Sequence, residues 1–335
     1  MIPQRILTMK GKMVGLIFII ALIGLPLVSK DNYLIHILIM SFLNAVLVSS
    51  WDILSGYGGI FSFGHPIFFG IGAYVSALTV MKLGVSTWLG LLIGAGGAAA
   101  TGFLIGLPVL RLRGAYLAIV TVSFLIIMHQ ISVNWSSLTH GPTGLSGIPP
   151  LSNINILNLQ IIFDGIDRSA YYYLALLILF LAVYSQRRFV SSTLGIHLLA
   201  IRDDEVAASA MGVNLARPKL AAFVLTSFLA GLVGAFYAHY FMLISPPIFG
   251  FDIMITIMTM SLIGGAATTL GPIIGAFLIT FLSEYLREFG DYRLLLYGAF
   301  IIFAITFMPQ GILKELWEKR FAIQGIKRPS YLKQS

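Results

Sequence analysis

Residues 185–219 read SQRRFVSSTLGIHLLAIRDDEVAASAMGVNLARPK. Eight of them are charged: Arg187, Arg188, Arg202, Asp203, Asp204, Glu205, Arg217 and Lys219. The sequence on either side is almost continuously apolar. Ionised side chains facing lipid cost about 2.5 kcal/mol or more each, so this block must lie in water between two membrane-length runs. It is the main soluble piece of the chain. Asp203 or Asp204 can cap a short helix with the body Glu205–Met211, and Gly212 stands where a left-handed residue closes a helix. Such a helix is roughly 10 Å long and too short to persist alone, so it should rest against something else. Generic features leave two roles open, an ordinary connecting loop and a docking element.

Composition settles the solvent. Of 335 residues, 58% are hydrophobic and only 10% are charged, where a soluble domain carries about a quarter. The length suits about ten spans of ~20 residues with short loops and no separate soluble domain. The fold class expected is an all-α polytopic membrane protein, residues 1–335 forming one transmembrane domain. There is no cysteine, which excludes disulfides and thiolate metal sites in this sequence. The net charge of +8 does not argue for nucleic acid, because the basic residues sit in loops and at the ends.

Spans are expected at Val14–Val28, Tyr33–Leu54, Phe61–Met81, Thr87–Val109, Ala115–Val133, Ala170–Tyr184, Leu220–Phe241, Phe251–Ile263, Leu270–Arg287 and Leu294–Phe307. Val14–Val28 behind Arg5, Lys10 and Lys12 also looks like a signal peptide, but Ser29–Asn32 offers no clean cleavage site and leads into another span. With both termini cytoplasmic, sixteen of the 21 Lys and Arg residues face inward, as the positive-inside rule requires. That orientation puts the block at 185–219 and the basic tail at 309–335 in the cytoplasm. The longest outer segment, 134–168, is rich in Gly, Pro, Ser and Asn. Its first half should be irregular, and Ile154–Phe163 a short strand or an interfacial helix. It serves either as a packed cap on the bundle or as a docking surface for an outer partner.

Two apolar regions are punctuated alike. Gly58-Gly59 is followed by Pro66 in GGIFSFGHP, and Gly264-Gly265 by Pro272 in GGAATTLGP, at the same spacing. Ser62 in one and Thr268 and Thr269 in the other supply small hydroxyls. This suggests a diverged internal repeat. Backbone groups freed by Gly and Pro at membrane depth are tolerable only against protein or a water-filled path, and paired interruptions point to a translocation route. Close helix packing by small residues accounts for the same glycines. Gly58, Gly59, Ser62, His65, Pro66, Phe69, Gly264, Gly265, Thr269 and Pro272 are therefore the candidate pathway residues. His65 is ionisable within the first interruption, yet a neutral histidine bonded to a freed carbonyl explains it equally well. The nearby Phe61, Phe63, Phe68 and Phe69 suit an apolar cargo or plain packing. His129, Asp52, His239 and Asp252 fall near span ends, where an interfacial role is expected.

The pattern G-x-x-x-x-G-K-[ST] is missing, as are H-E-x-x-H, C-x-x-C and G-x-S-x-G. An enzyme is not expected, nor a metal site. Acidic residues within the spans are scarce, which weighs against an ion-coupled carrier.

Glu205, Ala207, Ala208 and Gly212 stand as E-x-A-A-x-x-x-G, which resembles the cytoplasmic coupling loop of ABC-transporter permeases. GYGGIFSFGHPIFFGIGAY (56–74), RLRGAYLAIVT (111–121), IRDDEVAASAMGVN (201–214), LIGGAATTLGPIIGA (262–276) and MPQGI (308–312) resemble the branched-chain amino acid permeases of that class, the LivM type. The resemblance covers about residues 40–312. It implies a prokaryotic inner-membrane subunit that works with a second, similar permease chain, two ATP-hydrolysing subunits and an extracytoplasmic substrate-binding protein. ATP and Mg would then be held by the ATPase partners, with no cofactor on this chain. Arg202, Asp203, Asp204 and Glu205 would make polar contacts to an ATPase groove, and Ala207, Ala208, Met211 and Gly212 a close-fitting face. Urea, short amides and other amino acids are cargoes of similar permeases, and a self-sufficient channel or carrier is the rival from another class.

Overall fold

The computed structural model describes residues 22–26, 31–109, 112, 114–156, 159–163, 168–292, 298–299, 302, 306 and 311. Helices dominate: α1 (Asn32–Asp52), α2 (His65–Leu83), α3 (Thr87–Val109), α4 (Ala115–Asn134), α5 (Ser169–Val190), α6 (Thr193–Asp203), α7 (Glu205–Ala210), α8 (Ala216–Phe241), α9 (Phe251–Gly264) and α10 (Gly271–Tyr285). Six of them, α1 to α5 and α8, are long and apolar enough to cross a bilayer. α1 continues through one π-helical turn, Ile53–Tyr57.

Six of the expected spans coincide with these long helices. α9 has 14 residues, which at about 1.5 Å each is shorter than a ~30 Å hydrocarbon core, while α10 has 15 and runs on as a 3-10 helix from Leu286 to Tyr292. They pack on each other and on α1 as a short hairpin. Of the expected spans Val14–Val28 and Leu294–Phe307, only residues 22–26 and 298–299, 302 and 306 are described, all helical, and of the basic tail only residue 311; the rest lies outside the described residues.

α1 is the axis. It begins at the Asp31 carboxylate, which accepts from the Tyr33 N–H at 2.9 Å. Its buried residues, among them Ile39, Phe42, Ala45, Val46 and Trp51, cover all sides of the helix. A helix apolar all round is one surrounded by others, and α1 touches α5, α8, α9 and α10. α2, α3 and α8 form a second group held at backbone distance by small residues. A methyl group on Gly72 would strike the Gly231 backbone, and one on Gly234 would strike the Phe69 carbonyl. Membrane helices associate through such small-residue contacts, because lipid leaves little hydrophobic drive between them.

Helix direction alternates, so α6 and α7 share one end of the bundle with both Gly-Pro interruptions. At the opposite end the segment after α4 is a packed cap containing strands. Leu145–Ser146 pairs with Leu243–Ile244, and Ile154–Ile156 forms an antiparallel hairpin with Leu159–Ile161. Ile148, Leu151 and Phe163 are buried there. His239 corrects its expected interfacial place: it is fully buried, with Nε2 2.9 Å from Ser76 Oγ and Nδ1 2.7 Å from the Pro149 carbonyl.

Candidate translocation and coupling site

The first interruption folds back into the bundle. After Tyr57 the chain runs along α1, where the Ile60 N–H donates to the Leu54 carbonyl at 2.9 Å. Trp51 Nε1 donates to the Ser62 carbonyl at 2.8 Å, and His65 Nε2 lies 3.1 Å from Ser50 Oγ. α2 therefore begins level with Ser50, roughly 10 Å inside the end of α1 at Tyr57 by helical rise. Side chains take up several of the backbone groups released by the break: the Phe63 N–H donates to Thr121 Oγ1 of α4 at 3.0 Å. Ser62 Oγ accepts from the Gly64 N–H at 3.2 Å, and Pro66 occupies the first turn of α2, where a missing N–H costs nothing.

The second interruption is a tight turn between α9 and α10. Gly265 has φ +106° and the non-glycine Ala267 φ +59°. Thr268 Oγ1 accepts from the Gly271 N–H at 3.0 Å, and Pro272 lies in the first turn of α10. Gly264 and Gly275 let α9 and α10 meet at backbone contact, so at Gly264 small-residue packing is what the geometry displays. Gly311, of the MPQGI stretch, lies on the Gly265 α-carbon.

The two interruptions touch. Asp52, fully buried at the start of the stretch DILSGYGG, accepts from the Ala267 N–H at 2.9 Å and from Ser261 Oγ at 3.4 Å. Asp52 was expected at an interface. Its burial follows from α1 continuing past it through the π turn, which carries the water boundary further along the chain. An ionisable residue inside an apolar span is the signal that could have found it.

The charged block is a helical hairpin rather than a loop. α5 runs to Val190, so Arg187 and Arg188 lie in its last turn. α6 is a helix that the reading for charge missed. Ser192 caps it, accepting from the Gly195 N–H, and Leu198 and Ile201 are buried one turn apart. α7 has the expected ends. Asp204 Oδ1 accepts from the Val206 and Ala207 N–H groups at 2.9 and 3.0 Å. Gly212 has φ +81°, and the Gly212 and Val213 N–H groups return to the Ser209 and Ala208 carbonyls, closing the helix as a Schellman motif.

Positions within the block differ from the simple division into a polar rim and a small face. Glu205 Oε1 is 2.8 Å from Lys219 Nζ, a largely buried pair that ties α7 to the start of α8. Ala208 is buried against the chain itself. Arg202 Nη1 donates to the Gly56 carbonyl at 2.6 Å. Asp203, Asp204, Ala207 and Gly212 are exposed, as is Met211 at 83%. Val206, overlooked in the sequence, is 68% exposed. Among the pathway candidates, Ser62, His65, Pro66, Phe69, Gly264, Gly265 and Pro272 are enclosed by the chain, Gly58 lies against Leu198, and Thr269 is half-buried.

Six helices long and apolar enough to cross a bilayer, a short helical hairpin among them and a charged hairpin seated on the first interruption make up a multi-pass membrane permease subunit. Residues 33–305 match the family described as the branched-chain amino acid transport system / permease component, and the chain belongs to that family. It is 31% identical over 325 residues to the high-affinity branched-chain amino acid transport system permease protein LivM of Escherichia coli K12, covering 91% of this chain and 76% of that one. It is 30% identical to LivM of Salmonella typhimurium LT2 over the same shares. The LivH permease protein of E. coli K12 is 25% identical over 283 residues, 80% of this chain and 90% of that one. No solved structure matches.

Proposed function

We propose that this chain is a permease subunit of a prokaryotic inner-membrane ABC importer, moving branched-chain or other hydrophobic amino acids by ATP-driven alternating access. It would work with a second permease chain, two ATPase subunits and an extracytoplasmic binding protein. Support comes from family membership and from one observation above the others. A capped helix, α7, presents exposed Val206, Ala207 and Met211 beside the Asp203 and Asp204 carboxylates, on a hairpin whose other side rests on the first interruption at Gly56–Gly59. A short helix offering apolar contact area framed by charge is suited to a groove on a soluble partner. Glu205 and Ala208 then serve as its internal braces.

The test is purification from the native membrane in mild detergent, with mass spectrometry, ATPase assay and amino acid uptake in proteoliposomes. Recovery of two ATPases and a second permease, with ATP-dependent leucine uptake, is expected. Uptake by this chain alone without ATP would replace the importer with a channel or carrier. Val206→Asp with Met211→Asp should release the ATPases while leaving membrane insertion unchanged.

A further inference from the structure

The sequence groups Arg202 with the charges that meet a partner, but one arm of its guanidinium reaches inward while the side chain stays 38% exposed, with Nε 3.7 Å from Asp203 Oδ1. Nη1 donates to the Gly56 carbonyl at 2.6 Å, in the turn that ends α1. The stem lies on Gly59, at φ +64°, where an added methyl group would meet Arg202 Cγ at 2.7 Å. One turn earlier on α6, a methyl group on Gly58 would meet Leu198 Cδ1 at 3.3 Å. Leu198 and Arg202 thus form one edge of α6 seated on Gly56–Gly59.

From Gly56 the contact passes to the second interruption. A methyl group on Gly56 would meet the Ala267 nitrogen at 2.6 Å, and that N–H donates to Asp52 at 2.9 Å. Behind α6, Glu205 and Lys219 fasten α7 to α8. We infer that Arg202 is a positioning residue that holds the Gly56 turn to α6. Through it, displacement of the α6–α7 hairpin moves the first interruption, and with it the second. This rests on the proposed importer for the source of the displacement, but the clasp itself is a property of this chain. The geometry requires a guanidinium. A long planar donor reaches a main-chain carbonyl across the face of a glycine, and a charge-assisted bond of this kind can bias a two-state arrangement about tenfold or more.

The chain has no cysteine, so a single reporter can be placed cleanly. Ala266→Cys, half-buried in the second interruption, is combined with Arg202, Arg202→Gln or Arg202→Lys in the complete transporter. Thiol labelling rate, retained ATPase subunits, ATP hydrolysis and leucine uptake are measured together. In Arg202→Gln, labelling should rise several-fold in the resting state and no longer respond to ATP. ATPases should stay bound and hydrolysing while uptake falls about tenfold, and Arg202→Lys should be intermediate. Unchanged labelling and uptake in Arg202→Gln, or loss of the ATPase subunits from it, would overturn the assignment. If Arg202→Gln does not assemble, Arg202→Lys decides by the same labelling comparison with the parent. If the parent itself retains no ATPases, the importer reading fails, while resting-state labelling of the variants still tests the clasp.

Discussion

The two interruptions share their punctuation and differ in what they build. In each, the second glycine has a positive φ, at Gly59 and Gly265, a hydroxyl three residues later accepts a backbone N–H, and a proline starts the next helix. The first becomes a segment running back along α1, with Trp51, Thr121 and Arg202 supplying partners from α1, α4 and α6. The second stays a tight turn, because Gly264 and Gly275 let α9 and α10 close on each other. The same local signals thus yield a re-entrant segment where neighbouring helices offer hydrogen-bond partners, and a hairpin where small residues let the helices meet.

Asp52 joins the two, and its removal should have the largest effect. Asp52→Ala leaves the part-buried Ala267 N–H and the buried Ser261 hydroxyl without this acceptor, a loss of about 1–3 kcal/mol. Melting of the purified complex should drop accordingly and uptake should fall steeply; wild-type melting and uptake would mean that the interruptions are not joined there. Next come the glycines. Gly59→Ala must hold a left-handed φ near +64°, costing about 1–2 kcal/mol. Gly265→Ala must hold φ +106° with Gly311 against its α-carbon, and should cost more. Equal melting shifts for the two would show that the second turn is as forgiving as the first.

Ala267 offers the opposite sign. At φ +59° it carries a left-handed penalty that Ala267→Gly relieves, partly offset by unfolded-state entropy, for a net gain of about 0.5 kcal/mol. A lower melting temperature would mean that its methyl group packs more usefully than its backbone strains. Smallest are the prolines. Pro66→Ala and Pro272→Ala should each shift stability by about 0.5 kcal/mol or less, since a first-turn proline gives up no helical hydrogen bond. A large loss at Pro66 alone would show that the re-entrant segment depends on proline stiffness as well as on its side-chain partners.

Much of the local architecture was legible. The membrane class followed from composition, and the caps of α7 followed from Asp204 and Gly212, whose conformations depend only on neighbours in the chain. The six long helices lie where apolar runs of spanning length placed them. α6 was hidden because its flanking charges drew the eye to solvent, although Ser192, Leu198 and Ile201 carry a helix signature. The candidate pathway residues were singled out by Gly and Pro, but spacing alone could not tell a re-entrant segment from a turn.

What the sequence determined by itself is whatever a residue does to its own backbone or to the solvent around it: apolar length, left-handed glycines, first-turn prolines and helix caps. Only the tertiary structure decided that Asp52 is interior, that Glu205 answers Lys219 within the chain, and that Arg202 reaches Gly56 across 146 positions. Those outcomes are set by which helices become neighbours. A hydrogen bond between distant residues exists only once packing has brought donor and acceptor within 3 Å or so, and no local pattern records that distance.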